Sequence, residues 1–319
     1  MRVLLLVQKE ERAQLDTLYG SIAKHCDLDL RKLSSKEQAD LATYFKKNVN
    51  TEEFGRIIFF LRFKKEIRQV PFIRTIPNLI ILEHDAWQNY YADSKYKGKF
   101  SRHYFDLPWA RILVSGASLC KKLVKEGHDA VFIPKGYDNK SLTNLNRPRN
   151  IELGFLGSIE HKTYIKRKQF LDGVTNDLGL EVRRTNSGDE YLQALNNIKY
   201  FISADIDFGE NMIKNFEAMA CGCVVFAYNQ GETENNALHF KDMENIVLYQ
   251  SLDELKEKLA LLKANEALSQ SIAAKGQALA EEHYGFSKLG KKIVEAIMPN
   301  LRKHTGSGLF DNFRYLLRR

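Results

Sequence analysis

Two carboxylates seven residues apart, Glu210 and Glu217, bracket the stretch of this chain best suited to gripping a polar ligand. Read as parts of one helix, they would stand about 10 Å apart along its axis and on nearly the same face. Glu217 sits beside Phe216 and two residues before Met219, at the edge of an apolar stripe, so its carboxylate is expected half-buried and in need of a partner. Two neighbouring hydroxyls, as on a ribose, would provide one, because a carboxylate can accept from both. Ahead of it, Asp207-Phe208-Gly209-Glu210-Asn211 opens the helix, and the unpaired N–H groups of a helix start suit a phosphate. The plainer reading of either acid is a surface or capping glutamate.

These residues need a frame. Phe201–Ala204 and Cys223–Phe226 are short, apolar and partly β-branched, which predicts buried strands of a parallel sheet. Between them Met212, Phe216, Met219 and Ala220 recur at helical spacing, and Gly222 supplies a stop. The unit is therefore strand, loop, helix, strand, with the loop at the carboxyl end of the first strand, where a doubly wound sheet binds its ligand. Gln230-Gly231-Glu232-Thr233, after the second strand, lies on the same sheet edge.

Asn215-Phe216-Glu217-Ala218-Met219-Ala220-Cys221-Gly222 with the apolar strand behind it resembles the nucleotide-sugar signature of GT-B fold glycosyltransferases, in particular the group-1 and spore-maturation-type relatives. The resemblance implies that a glutamate in the loop and another eight residues later hold the donor sugar and its ribose. Glu217 matches the second position; the first falls on Gly209, with Glu210 one residue late and Asn211, Met212 and Ile213 following at the helix start. Gly157, after Phe155-Leu156, matches the family's phosphate-contacting turn, while the arginine often found next is Ser158 here. A diphosphate leaving group needs cations or helix-start N–H groups, so Lys162, Arg167 and Lys168 are the expected substitutes. Arg183, Arg184 and Thr185, at the end of a nearby strand, could meet the base. His84-Asp85 resembles the first-domain histidine loop of the retaining enzymes; in an inverting reaction Asp85 or His84 would be the base. The implied co-substrate is a nucleotide-diphosphate sugar, with no cofactor and no metal.

Composition bounds the alternatives. With 319 residues, 44% apolar and 28% charged, the chain has room for two globular domains. The apolar start Met1–Val7 is too short for a signal peptide, and no apolar run approaches the ~20 residues that span a bilayer, so a cytoplasmic protein is expected. Cys26, Cys120, Cys221 and Cys223 form no CxxC and read as reduced thiols rather than metal ligands. No GxGxxG follows the first strand and no GxxxxGK[ST] occurs, which argues against a nicotinamide enzyme and a P-loop kinase. The net charge of +8 concentrates in Arg62–Arg74, in Lys95–Arg102 with Tyr96 and Phe100, and in the tail from Arg302. Basic residues among aromatics suit an anionic membrane surface, a phosphorylated glycolipid or nucleic acid; a solvated surface is the plainer reading.

The rest of the chain alternates strands and helices. Strands are expected at Arg2–Val7, Leu28–Leu33, Gly55–Leu61, Asn78–Leu82, Arg111–Val114 and Ala130–Ile133, then at Glu152–Leu156, Leu180–Arg184 and Ile246–Tyr249, with helices such as Ser35–Lys46 among them. The fold class this implies is α/β, two Rossmann-like doubly wound domains facing a cleft. Domains are expected at 1–138 and 151–284, a polar linker at 139–150, and returning helices at 285–319. The resemblance makes the chain a hexosyltransferase acting on a bacterial surface glycan or glycolipid of lipopolysaccharide type, retaining and metal-independent, at the inner membrane face. A DNA-base glucosyltransferase of phage type ranks second, and a non-catalytic sugar- or nucleotide-binding module third.

Overall fold

The computed structural model describes residues 1–10, 15–160, 164–305 and 308, and the chain folds as two units, Met1–Ile133 with Gly290–Arg319, and Pro134–Leu289. The first unit runs β1 (Arg2–Gln8), α1 (Asp16–Ala23), β2 (Asp27–Leu33), α2 (Leu41–Asn48), β3 (Arg56–Phe60), α3 (Phe63–Glu66), α4 (Val70–Ile73), β4 (Leu79–Glu83), α5 (Lys99–Phe105), β5 (Arg111–Val114), α6 (Ala117–Lys125) and β6 (Asp129–Phe132). Its six strands are parallel in the order β2-β1-β3-β4-β5-β6. Val3 to Val7 are buried on both faces, which is what a central parallel strand demands of an apolar run, and Leu5 pairs with Leu30 on one side and Ile58 on the other.

One expectation for this unit changes on inspection. The helix expected over 35–46 starts at Leu41, because the Asp40 carboxylate accepts from the Thr43 N–H at 3.1 Å; ahead of it Ser34 and Glu37 bond each other across a short turn. In the basic stretches Arg62–Arg74 and Lys95–Arg102, Lys64, Arg68, Lys95, Lys97, Lys99 and Arg102 are exposed while Phe63 and Phe100 are buried. The two stretches fold into α3, α4 and α5: Phe63 stacks on the buried Phe100 at 3.6 Å, and His103 Nε2 lies 2.6 Å from Glu66 Oε1, both side chains buried. Of the basic tail expected from Arg302 onward, residues 306, 307 and 309–319 lie outside the described residues.

The second unit runs β7 (Ile151–Leu156), α7 (Ile165–Leu178), β8 (Glu181–Arg183), α8 (Asp189–Asn197), β9 (Ile198–Ile202), α9 (Ile213–Ala220), β10 (Val224–Tyr228), α10 (Glu232–Ala237), β11 (Val247–Tyr249), α11 (Leu252–Ala264) and α12 (Glu266–His283). Its sheet is again parallel, in the order β11-β10-β9-β7-β8. The stretch 139–150, expected as a linker, packs into this unit. Arg149 donates to the carbonyls of Ile198 at 2.7 Å and Cys221 at 2.6 Å, capping the carboxyl end of α9, and Asn196 accepts from the Leu145 N–H. Gly136 is fixed by a close approach: a methyl there would fall 2.0 Å from the Tyr284 carbonyl oxygen.

The last helix, α13 (Phe286–Ile297), begins in the second unit and from Gly290 onward belongs to the first. Gly290 meets α1 so tightly that a methyl would fall 2.6 Å from the Ile22 amide nitrogen. The final carbonyls of α13, left without helical partners, are taken up by arginines. Arg56 donates to Ile297 at 2.7 Å and Pro299 at 2.9 Å, and Arg111 to Ala296 at 3.0 Å and Asn300 at 3.2 Å.

Candidate functional site

In the second unit the winding of the sheet reverses between β7 and β9, and a crevice for a ligand belongs just beyond the carboxyl ends of those two strands. The chain there is short and braced. After β7, the Gly157 N–H donates to the Arg183 carbonyl at 3.0 Å, tying the turn to the end of β8. A side chain at this position would lie 3.0 Å from both the Phe155 ring and Lys214 Cε.

After β9 the loop to Met212 hangs on Asp205. Its Oδ1 accepts from the Arg167 guanidinium at 2.7 Å, and its Oδ2 from the Ser203 hydroxyl at 3.1 Å and the Met212 N–H at 3.2 Å. Gln230 adds a second brace, donating to the Asp205 carbonyl at 2.6 Å and accepting from the Gly209 N–H at 2.9 Å. A third is the buried ion pair of Lys135 Nζ with Glu210 Oε1 at 2.6 Å. The loop reverses through Asp207 and Gly209, with φ of 61° and 72°, and Met212 is extended at φ −84° and ψ 158°, so α9 begins only at Ile213.

That geometry corrects the reading of Glu210 and Glu217 as one helical face. Glu210 lies in the loop, fully buried against Lys135, while Glu217 is in the second turn of α9. Glu217 is half-buried and accepts from the Tyr191 hydroxyl of α8 at 2.5 Å. Burial pushes its carboxyl above the ordinary range, against the pull of Lys214 and the Tyr191 hydrogen bond. Lys214 stands one turn earlier on the same helix, its Nζ 5.0 Å from the centre of the Tyr191 ring. Asn211 and Asn215 are buried and joined at 2.8 Å, yet Asn211 Nδ2 and Asn215 Oδ1 have no hydrogen-bond partner among the described residues.

Of the residues singled out in the sequence, Gly157, Ser158, Arg167, Gly209, Asn211, Met212, Ile213 and Glu217 follow or flank β7 and β9 at this one edge. Arg167 is not a free cation, since Asp205 holds it and it lies 4.3 Å from the Tyr164 ring. Lys168 is exposed on α7, and Lys162 falls outside the described residues. Arg183 and Arg184 are exposed at the end of β8 with Thr185 half-buried beside them, and Arg183 pairs with Glu181. His84 and Asp85 belong to the first unit, after β4. His84 is half-buried edge-on to Phe60 at 5.0 Å, and the exposed Asp85 donates its N–H to Glu83 Oε1 at 2.7 Å. Burial, with Asp85 adding to it, holds the Glu83 carboxyl well above its ordinary range.

Sequence reasoning passed over Asp205, Lys135, Tyr191 and Lys214. The signal for Asp205 was an acid directly after a buried strand; for Lys214, a lysine three residues before Glu217 and so on the same helix face.

The family comparison falls on this unit. Residues 146–295 match a family described as glycosyl transferase-like. No curated protein matches the chain. Among solved structures, HepE of Anabaena in complex with UDP and glucose is 13% identical, with 94% of this chain and 100% of that one covered at a TM-score of 0.68. Sucrose-phosphate synthase of Thermosynechococcus elongatus is 11% identical, with 99% of each chain covered at 0.65. An alpha-glucosyltransferase in complex with UDP-glucose and DNA containing an abasic site is 11% identical, with 94% of this chain and 100% of that one covered at 0.55. At these identities the similarity shows a shared fold, the two-unit GT-B arrangement of parallel sheets and helices. Among its described residues the chain has no helix long and apolar enough to cross a membrane.

Proposed function

We propose that this chain is a glycosyltransferase that moves a hexose from a UDP-glucose-type donor to a glycan or glycolipid acceptor of lipopolysaccharide type, without a metal and with retention at the anomeric carbon. The observation that carries the donor half is Glu217, a half-buried carboxylate held by Tyr191 on the helix whose start faces the sheet reversal. A ribose diol is a fitting partner for such a group, because it satisfies both oxygens at once. UDP and glucose are bound by the similarly folded HepE, which favours uracil and glucose over other bases and sugars for this chain as well. Gly209 to Ile213, with their backbone held by Asp205 and Gln230, are assigned to the sugar and phosphate. Glu210 is assigned to shaping that loop through Lys135 rather than to touching the sugar. The leaving phosphate accepts the acceptor's proton.

The testing experiment is a thermal-shift screen of the full chain against UDP-, GDP-, ADP-, TDP- and CMP-sugars, followed by donor hydrolysis and transfer assays on the best binder. A ligand that binds only the folded state raises Tm. UDP-glucose should give the largest shift and be consumed; a chain that binds none of these donors has another function.

A DNA acceptor is favoured by one observation, the net charge of +8 together with the fold shared with the DNA-bound alpha-glucosyltransferase. Binding to duplex DNA that weakens steeply between about 50 and 200 mM salt, with sugar appearing on the DNA, would select it.

A further inference from the structure

The turn after β7 carries Ser158 where the resemblance leads one to expect an arginine, so a diphosphate bound there would lack its cation. The described lysines and arginines of that edge are mostly committed or remote. Arg167 is locked to Asp205 at 2.7 Å, Lys166 pairs with Asp207, Arg183 pairs with Glu181, Lys135 pairs with Glu210, and Lys168 is exposed on the helix behind. Lys214 differs from all of these. It makes no hydrogen bond or ion pair among the described residues, although it is half-buried, and its ammonium lies over the face of Tyr191.

Its position is specific. The aliphatic stem crosses the turn so closely that Cε would lie 3.0 Å from a methyl on Gly157, and the residue is the second of α9, whose N-cap Met212 offers no side-chain acceptor to the helix-start N–H groups. An ammonium and unsatisfied helix-start amides at one spot form a site for an anion with two phosphoryl groups. Three residues on, Glu217 stands on the same helix face, roughly 5–6 Å away at Cβ. That is the spacing at which one nucleotide presents a ribose diol and its first phosphate.

We infer that Lys214 is the cation that meets the donor's diphosphate, taking the place of the arginine missing at Ser158. This rests on the nucleotide-sugar reading above and adds to it the residue that reads the leaving group. The state of the side chain without ligand agrees: burial holds the ammonium below the ordinary lysine range, opposed by Glu217 and Asp205 and reinforced by Arg167. An arriving diphosphate replaces the lost hydration with a counter-charge.

The test is calorimetric titration of UDP, UMP and uridine into the full chain, as wild type, Lys214→Met and Lys214→Arg, with Tm recorded for each protein. One charge-assisted contact sets the expected loss of UDP affinity in Lys214→Met at about 10- to 100-fold. The loss for UMP should be smaller and that for uridine absent, and Lys214→Arg should recover most of the UDP affinity. Equal losses for UDP and uridine would mean that Lys214 only shapes the pocket, and an unchanged UDP affinity would overturn the inference while leaving the donor reading intact. A wild type that binds UDP no better than uridine overturns both.

Discussion

Replacing Lys135 with methionine tests how the loop ahead of α9 is held. The pair it makes with Glu210 is 2.6 Å long, with the two side chains 7% and 0% exposed, so the methionine leaves a buried carboxylate without its ammonium. Removing one member of such a pair costs about 3–5 kcal/mol, whereas replacing both with apolar groups of like size is close to neutral. For a unit of this size the single variant should melt roughly 6–20 °C lower. Urea unfolding gives the free energy directly, and an unchanged m-value shows that the loss lies in the folded state. The double variant Lys135→Met/Glu210→Met should regain most of the stability but not the nucleotide affinity, since Glu210 shapes the loop that includes the Gly209 and Met212 N–H groups. A single variant that loses less than about 1 kcal/mol, or a double variant no more stable than the single, would refute the argument that this pair is an interdependent brace.

Further expectations follow from the same geometry. Glu217 has its folded pKa raised from an ordinary value of 4.5, so the wild type should lose stability as pH rises from that value through the raised one; Glu217→Gln should abolish that slope in Tm-against-pH curves while weakening UDP binding. Tyr191→Phe removes the hydroxyl that Glu217 accepts from, and UDP affinity should fall less than in Glu217→Gln, since the carboxylate itself remains. Gly290→Ala forces a methyl to within 2.6 Å of the Ile22 nitrogen and should cost about 1–3 kcal/mol by urea unfolding, whereas Gly20→Ala, with open space around it, should be tolerated.

Much of the architecture was legible because parallel strands buried on both faces leave unbroken apolar runs. Val3–Val7, Ile57–Phe59 and Val224–Ala227 are of that kind, and each sits in a strand within a residue or two of its expected span. The helices of Arg62–Arg74 and Lys95–Arg102 were hidden by their own charge. Short helices carry one buried turn each, and the lysines that surround Phe63 and Phe100 in sequence point elsewhere in space, two of them over the Tyr96 ring. At the site, Glu217 was readable from its apolar neighbours. Glu210 was misread because a seven-residue spacing says nothing about where a helix starts, and here two positive-φ residues and an extended Met212 delay it. Lys135 could not be linked to Glu210 from sequence, since 75 positions separate them and no local pattern encodes the pairing.

The return of the chain at Gly290 bears on how the protein comes to be made. Pro134–Leu289 is one uninterrupted stretch, complete before its neighbour, whereas the first unit must wait for the closing turns of α13. Until those turns emerge from the ribosome, Arg56 and Arg111 lack the carbonyls they donate to, and Ser21 and Ile22 of α1 lack the helix that packs on them at Gly290. The stretch before Pro134 is thus completed only by a segment made after Leu289, and a nascent chain stalled before Gly290 would hold that earlier unit without its closing helix.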